Sequence, residues 1–165
     1  MTKLLVILGI IIVAIVVFEI FLGSKKPKWK YLYKNKEFLM TKSEREFFEV
    51  LNSAVGGRYF IFPQVHLPTL LDHKIRGQDW RAAFAHINQK SVDFVLCDKG
   101  KISPKLAIEL DDKSHERPDR AERDEEVERI FEAANFPLLR IPNSNGYDTV
   151  EIIQKIEKTI EEPSK

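Results

Sequence analysis

The chain has 165 residues, with 26 Lys and Arg against 25 Asp and Glu and a formal net charge of +1. A single cysteine, Cys97, excludes an internal disulfide and fits a reducing compartment; alone in an apolar run, it reads as a small core residue and not as a nucleophile. No internal repeat or low-complexity segment is present, and once the apolar N-terminal run is set aside the remainder suits one domain of ordinary size.

The N-terminal run comes first. From Leu4 to Phe18 every residue is apolar or Gly, and after Glu19 the apolar character resumes at Ile20, Phe21 and Leu22. This approaches the ~20 residues that a helix needs to cross a bilayer. It exceeds the apolar core of about 7–15 residues typical of a signal peptide, and no Ala-x-Ala-like cleavage site follows. A buried core helix would carry polar residues along one side. Residues 1–24 are therefore expected to form an uncleaved transmembrane anchor. Lys25, Lys26, Lys28, Lys30, Lys34 and Lys36 follow it, against Lys3 before it. That excess orients the C-terminal side to the cytoplasm, with Trp29, Tyr31 and Tyr33 at headgroup depth. The expected localisation is single-pass in the cytoplasmic membrane, with residues 25–37 a basic juxtamembrane linker and 38–161 a cytoplasmic domain.

Within that domain, Thr41-Lys42-Ser43-Glu44 is a capping-box pattern, followed by Phe47, Phe48, Val50, Leu51 and Ala54 at helical spacing and stopped at Gly56-Gly57. Tyr59 to Leu67 reads as a strand, and Pro63 gives it an edge position or a bulge. Leu70 to Lys90 is less regular, with a helical turn at Trp80 to His86. Ser91–Cys97 and Lys105–Leu110 read as strands joined by the hairpin turn Asp98-Lys99-Gly100-Lys101. A charged helix spans Arg120 to Ala134, with Val127, Ile130, Phe131 and Ala134 on its apolar face. Pro137 to Ile141 is a short strand, and Tyr147 to Ile160 a closing amphipathic helix. The expected fold class is α/β.

The chemistry concentrates in the hairpin strands. Asp93 and Glu109 interrupt apolar runs, and Glu109 and Asp111, two apart, share one strand face. A carboxylate taken out of water needs a partner, and several together repel one another unless a cation joins them. Asp93, Glu109 and Asp111 are thus candidate ligands for Mg2+ or Mn2+, with waters and a backbone carbonyl near Leu110 completing the shell. The ion would polarise a phosphodiester and acidify an attacking water. The bland reading is a salt-bridged surface trio. His115, which titrates near neutrality, is the candidate proton carrier, or else a loop His without a role; His66, His73 and His86 show no metal-ligand spacing. Arg120 and Arg123 are candidates for neutralising phosphate, against a solvated helix face suggested by Glu122, Glu125, Glu126 and Glu128. Gln64 is a weaker candidate on the first strand. Charge is also uneven along the chain: residues 25–90 hold 13 Lys/Arg and 6 Asp/Glu, and residues 91–165 hold 12 and 18. This pattern fits a phosphate-binding surface beside a metal site, although six of the thirteen are the linker lysines, which anionic lipid would equally attract.

The order helix, three strands, helix, strand, helix resembles the restriction-endonuclease-like core of the PD-(D/E)XK nuclease superfamily. Asp93 matches its first metal-binding Asp and Glu109 its second acidic residue. Asp111 stands where Lys is usual, a departure shared with the very-short-patch-repair endonuclease branch. That branch resembles this chain in Asp93-Phe94, Glu109-Leu110-Asp111, His115 and Leu139-Arg140. A closer resemblance, from about Thr41 through Pro142, is to the bacterial domain-of-unknown-function 2726 family. It is carried by Phe62-Pro63-Gln64-Val65, residues 92–98 and 107–112, Ser114-His115, Arg120 through Asp124, and residues 137–142. The superfamily resemblance implies that Glu44, on the first helix, approaches the metal; its sequence context equally fits a helix cap. Together these readings lead to an expected membrane-anchored, metal-dependent phosphodiesterase acting on DNA or RNA. The alternatives are a non-catalytic nuclease-fold module that binds nucleic acid or a protein, and a membrane-surface module in which the acidic residues merely pair with Arg120 and Arg123.

Overall fold

A computed structural model describes the backbone of residues 2–22, 31–111, 118–144 and 146–162, and their side chains except those of Thr2, residues 19–22 and residues 118–123. The chain forms two compact units, Met1–Glu37 and Phe38–Lys165. In the first, α1 (Thr2–Leu22) is a helix whose described side chains, residues 3–18, are all exposed. Among the described residues no helix is long and apolar enough to cross a membrane. This corrects the expected transmembrane anchor over residues 1–24 and, with it, the single-pass localisation in the cytoplasmic membrane. The Lys-rich stretch from Lys25 to Lys30, with Trp29, lies outside the described residues.

The second unit is a mixed α/β fold around one four-stranded sheet. Helix α2 (Lys42–Val55) starts where the sequence says it should. The Thr41 N–H donates to Glu44 Oε2 at 2.7 Å, and the Glu44 N–H donates back to Thr41 Oγ1 at 3.3 Å. Phe47, Leu51 and Val55, four residues apart, form its buried stripe. At the C-cap, Gly56 is right-handed (φ −60°), so it supplies no left-handed turn; a Cβ there would collide with the backbone carbonyl and side chain of Asn52.

Strands β1 (Tyr59–His66), β2 (Ser91–Asp98), β3 (Pro104–Asp111) and β4 (Leu138–Pro142) lie in the order β1-β2-β3-β4. The first three are antiparallel neighbours, and β4 runs parallel to β3. A parallel neighbour needs a crossover, supplied here by α5 (Pro118–Ala133). Short helix α3 (Leu67–Leu70) follows β1 directly, α4 (Trp80–Ile87) is the helical turn expected at Trp80 to His86, and residues 71–79 between them are irregular. The signal for α4 was Asp79, whose Oδ1 accepts the N–H groups of Arg81 and Ala82 at its N-terminus.

Two apolar cores lie on opposite faces of the sheet. On one face, α2 and α6 (Thr149–Glu161) bury Phe47, Leu51, Ile152 and Ile156 against Phe94, Leu96, Leu106 and Ile108. On the other, Val127 and Phe131 of α5 pack with Val92, Val95, Cys97 and Ala107. Cys97 is accordingly a buried core residue. Alternation along β3, and along β2 from Phe94 onward, assigns Phe94, Leu96, Leu106 and Ile108 to the first face, and Val95, Cys97, Ala107, Glu109 and Asp111 to the α5 face; Val92 packs on the α5 face as well, so β2 does not alternate through Asp93.

Candidate functional site

The register of the hairpin decides whether the acidic residues meet. Phe94 pairs with Ile108 across β2 and β3, so Asp93 and Glu109, one residue further along each strand, lie side by side on the α5 face. Their side chains are hydrogen-bonded to each other. Asp93 Oδ2 also accepts the Leu110 N–H at 2.8 Å, and Oδ1 faces Gln64 Nε2 at 3.5 Å. The expected adjacency of the two strands and the common face of Asp93 and Glu109 are both present.

Two carboxylates in this position cannot both ionise at low cost. Burial, then the negative charge of Asp93 and the hydrogen bond to it, push the Glu109 carboxyl up to about 9, against the opposing pull of Arg140. Burial also raises Asp93, with Glu44 adding to the rise, while the hydrogen bonds from Leu110, Glu109 and Gln64 oppose it. At neutral pH Glu109 therefore keeps its proton and donates it to Asp93.

Gln64 reaches Asp93 from an unusual backbone. It stands between the paired positions Pro63–Phe94 and Val65–Val92, opposite Asp93, with φ at +52°. Left-handed backbone at a residue other than Gly costs on the order of 1 kcal/mol and persists where the surroundings enforce it.

Asp111 does something other than expected. Its carboxylate is forked onto Arg140 of β4: Arg140 Nη2 lies 2.6 Å from Oδ1, and Nε lies 3.0 and 3.2 Å from Oδ1 and Oδ2. Arg140 Nη2 is also 3.6 Å from Asp124 Oδ2, and Nη1 donates to the Asp124 carbonyl at 3.4 Å. Asp111, first among these, raises the Arg140 guanidinium, which stays charged. Arg140 stands opposite Glu109 in the parallel register. The three carboxylates expected to converge are thus a pair plus a salt-bridge anchor. Among the described residues, no group of three or more His, Cys, Asp or Glu side chains is disposed to hold a metal ion.

Glu44 caps α2 as its sequence context allowed, and its charge reaches Asp93. His115 lies outside the described residues, and Arg120 and Arg123 lie on α5 with their side chains outside them. Arg140 and Asp124, named from sequence only within family-like segments and given no role there, both belong to the cluster around Asp111. An Arg interrupting the apolar strand Leu138-Leu139-Arg140-Ile141 is the same signal that singled out Asp93. His86 Nε2 meets Glu126 Oε1 at 2.7 Å and Lys90 Nζ meets Glu126 Oε2 at 3.0 Å, an ion cluster joining α4 to α5. It borders a cavity of about 440 Å3 that contains neither Asp93 nor Glu109.

No curated protein and no solved structure matches the chain. A family model described as "Protein of unknown function (DUF2726)" matches residues 36–159. That stretch takes in α2, the sheet, both acidic strands and nearly all of α6, and the chain belongs to this family.

Proposed function

We propose that the Asp93–Glu109 pair is the centre of a metal-dependent phosphodiesterase site acting on nucleic acid. The observation that carries this reading is geometric: two adjacent carboxyl groups, held on neighbouring strands and hydrogen-bonded to each other, that repel one another when ionised unless a cation intervenes. A divalent ion would take the place of the proton between them. Mg2+ is commonly held by one or two carboxylates, with waters and substrate phosphate as its other ligands, so Asp93 and Glu109 suffice as the protein's share. When bound, Mg2+ or Mn2+ would polarise the scissile phosphate and lower the pKa of a water.

The chain's own residues do the rest. The Leu110 N–H fixes one oxygen of Asp93, and Gln64 restrains the other. Arg140, pinned by Asp111, holds a positive charge beside Glu109. The resemblance to the PD-(D/E)XK superfamily supports the same reading: its usual Lys is absent at Asp111, and here Asp111 secures a guanidinium on the adjoining strand instead. His115 remains the candidate proton carrier.

Metal uptake by a protonated pair must release a proton. Titrating the full chain with Mn2+ at pH 7, in buffers of different ionisation enthalpy, should show about one proton released per ion bound. Asp93→Asn should abolish both uptake and any cleavage of DNA or RNA. A chain that binds no divalent ion and cleaves nothing in a broad nucleic-acid panel would leave the second reading, a non-catalytic module that binds nucleic acid. The engagement of Asp111 by Arg140 is the observation that favours that alternative.

A further inference from the structure

On β1 the side chains alternate. Tyr59 and Ile61 pack into the α2–α6 core, whereas Phe60 and Phe62 point to the α5 face and remain 42% and 40% exposed. Phe60 is opposite Cys97 and Phe62 opposite Val95. Both partners are buried in the α5-face core, but among the described residues that core does not extend over the two phenylalanines. One further step along the same face is Gln64, whose amide faces Asp93. A row of two exposed rings thus runs along the edge of the sheet and ends at the carboxylate pair. At ~3.3 Å per strand residue, the rings sit roughly 7 Å apart and the row from Phe60 to Gln64 is about 13 Å long.

Cations mark the far end of the row. Lys99 Nζ lies 5.5 Å from the Phe60 ring centroid, and Lys101, also exposed, follows in the same hairpin turn. Exposed aromatic faces with ammonium groups beside them match the two chemistries of a single-stranded nucleic acid: bases with free π-faces, and phosphates between them. A duplex keeps its base faces stacked inside and offers none to a flat ring. A second copy of this chain adding a strand to the β1 edge is disfavoured, because Pro63 has no N–H and Gln64 leaves extended geometry in the middle of that edge.

We infer that Phe60 and Phe62, with Lys99, form a stacking track that leads a single strand of nucleic acid to Asp93 and Glu109. This inference rests on the proposed phosphodiesterase reading for what happens at the end of the track, but the binding itself needs no metal.

The test is binding of a fluorescent 15-residue oligothymidine to the full chain in EDTA, read by anisotropy, with Mn2+-linked proton release measured in parallel. Phe60→Ala and Phe62→Ala should each weaken oligothymidine binding on the order of tenfold. Phe60→Trp should restore binding and report it by fluorescence quenching. Lys99→Ala should lower the salt dependence of binding by close to one phosphate contact. Proton release on Mn2+ addition should be unchanged in all of them. If Phe-dependent binding is present without metal uptake, the track stands and the phosphodiesterase reading fails. The track itself is overturned if wild type does not bind oligothymidine, or if Phe60→Ala/Phe62→Ala binds as wild type does. It is equally overturned if a hairpin duplex of the same length binds as tightly.

Discussion

Replacing Glu109 by Gln should stabilise the metal-free protein, and the gain should grow with pH. In the folded chain the Glu109 carboxyl is raised from 4.5 to about 9. Between these values the folded state keeps a proton that the unfolded state has released. Stability then falls as pH rises, by about 1.4 kcal/mol per pH unit for one proton. It is fully present below the ordinary Glu range and has been lost by about pH 9. At pH 7 the accumulated loss is roughly 3.5 kcal/mol, from two and a half units at about 1.4 kcal/mol each. Asp93 is raised as well, so it steepens the acid end of the same decline and does not reverse it. A Gln at position 109 is neutral at every pH and keeps an N–H donor for Asp93. Its stability should therefore lie close to that of wild type at pH 4.5 and exceed it by up to about 3.5 kcal/mol at pH 7. Urea unfolding in EDTA at pH 4.5, 5.5, 7 and 8.5 measures both slopes. A flat wild-type profile over this range, or a Glu109→Gln chain less stable than wild type at pH 8.5, would refute the shared-proton argument.

Two further substitutions probe the surroundings of the pair. Arg140→Gln leaves Asp111 and Asp124 facing each other without their cation. It should cost about 2 kcal/mol, below the ~3–5 kcal/mol of a fully buried pair because Arg140 is 24% exposed; Asp111→Asn in the same chain should recover part of the loss in urea unfolding. Gln64→Gly relieves the positive φ and should raise stability by up to about 1 kcal/mol while weakening Mn2+ binding, and a loss of stability above that size would show that the side chain holds the site together.

The elements that read clearly from sequence are those whose signals are local. The capping box at Thr41 and Glu44, the turn after Asp98 and the apolar stripe of α2 each lie within a few residues. The structure returns each of them. The pairing of the two acidic strands also followed from the tight turn, but the meeting of Asp93 with Glu109 depends on a register shift between Leu96 and Cys97, because the turn-proximal register Cys97–Pro104 carried on unchanged would set Asp93 opposite Ile108. What could not be read was the partner of Asp111. Arg140 reaches it through a parallel pairing established by the α5 crossover, and no local pattern sets the register of two strands separated by a helix. The apolar run at the N-terminus shows the opposite risk. Hydropathy supplied a strong local signal, yet among the described residues no helix is long and apolar enough to cross a membrane.

The Asp111–Arg140 pair changes what the acidic strand can do. Had Asp111 joined Asp93 and Glu109, three like charges would have stood on one half-buried face, and the site would have depended on a cation for its stability. By taking Asp111 into a forked contact, Arg140 removes one charge from that sum and sets its own positive charge against Glu109. The remaining pair needs only one proton to be neutralised to a single negative charge. The fold therefore tolerates the site without metal, at a stability that depends on pH. Such a pair holds its geometry in advance, with Asp93 oriented by the Leu110 N–H and by Gln64. An incoming divalent ion would displace a proton and would not have to assemble its ligands.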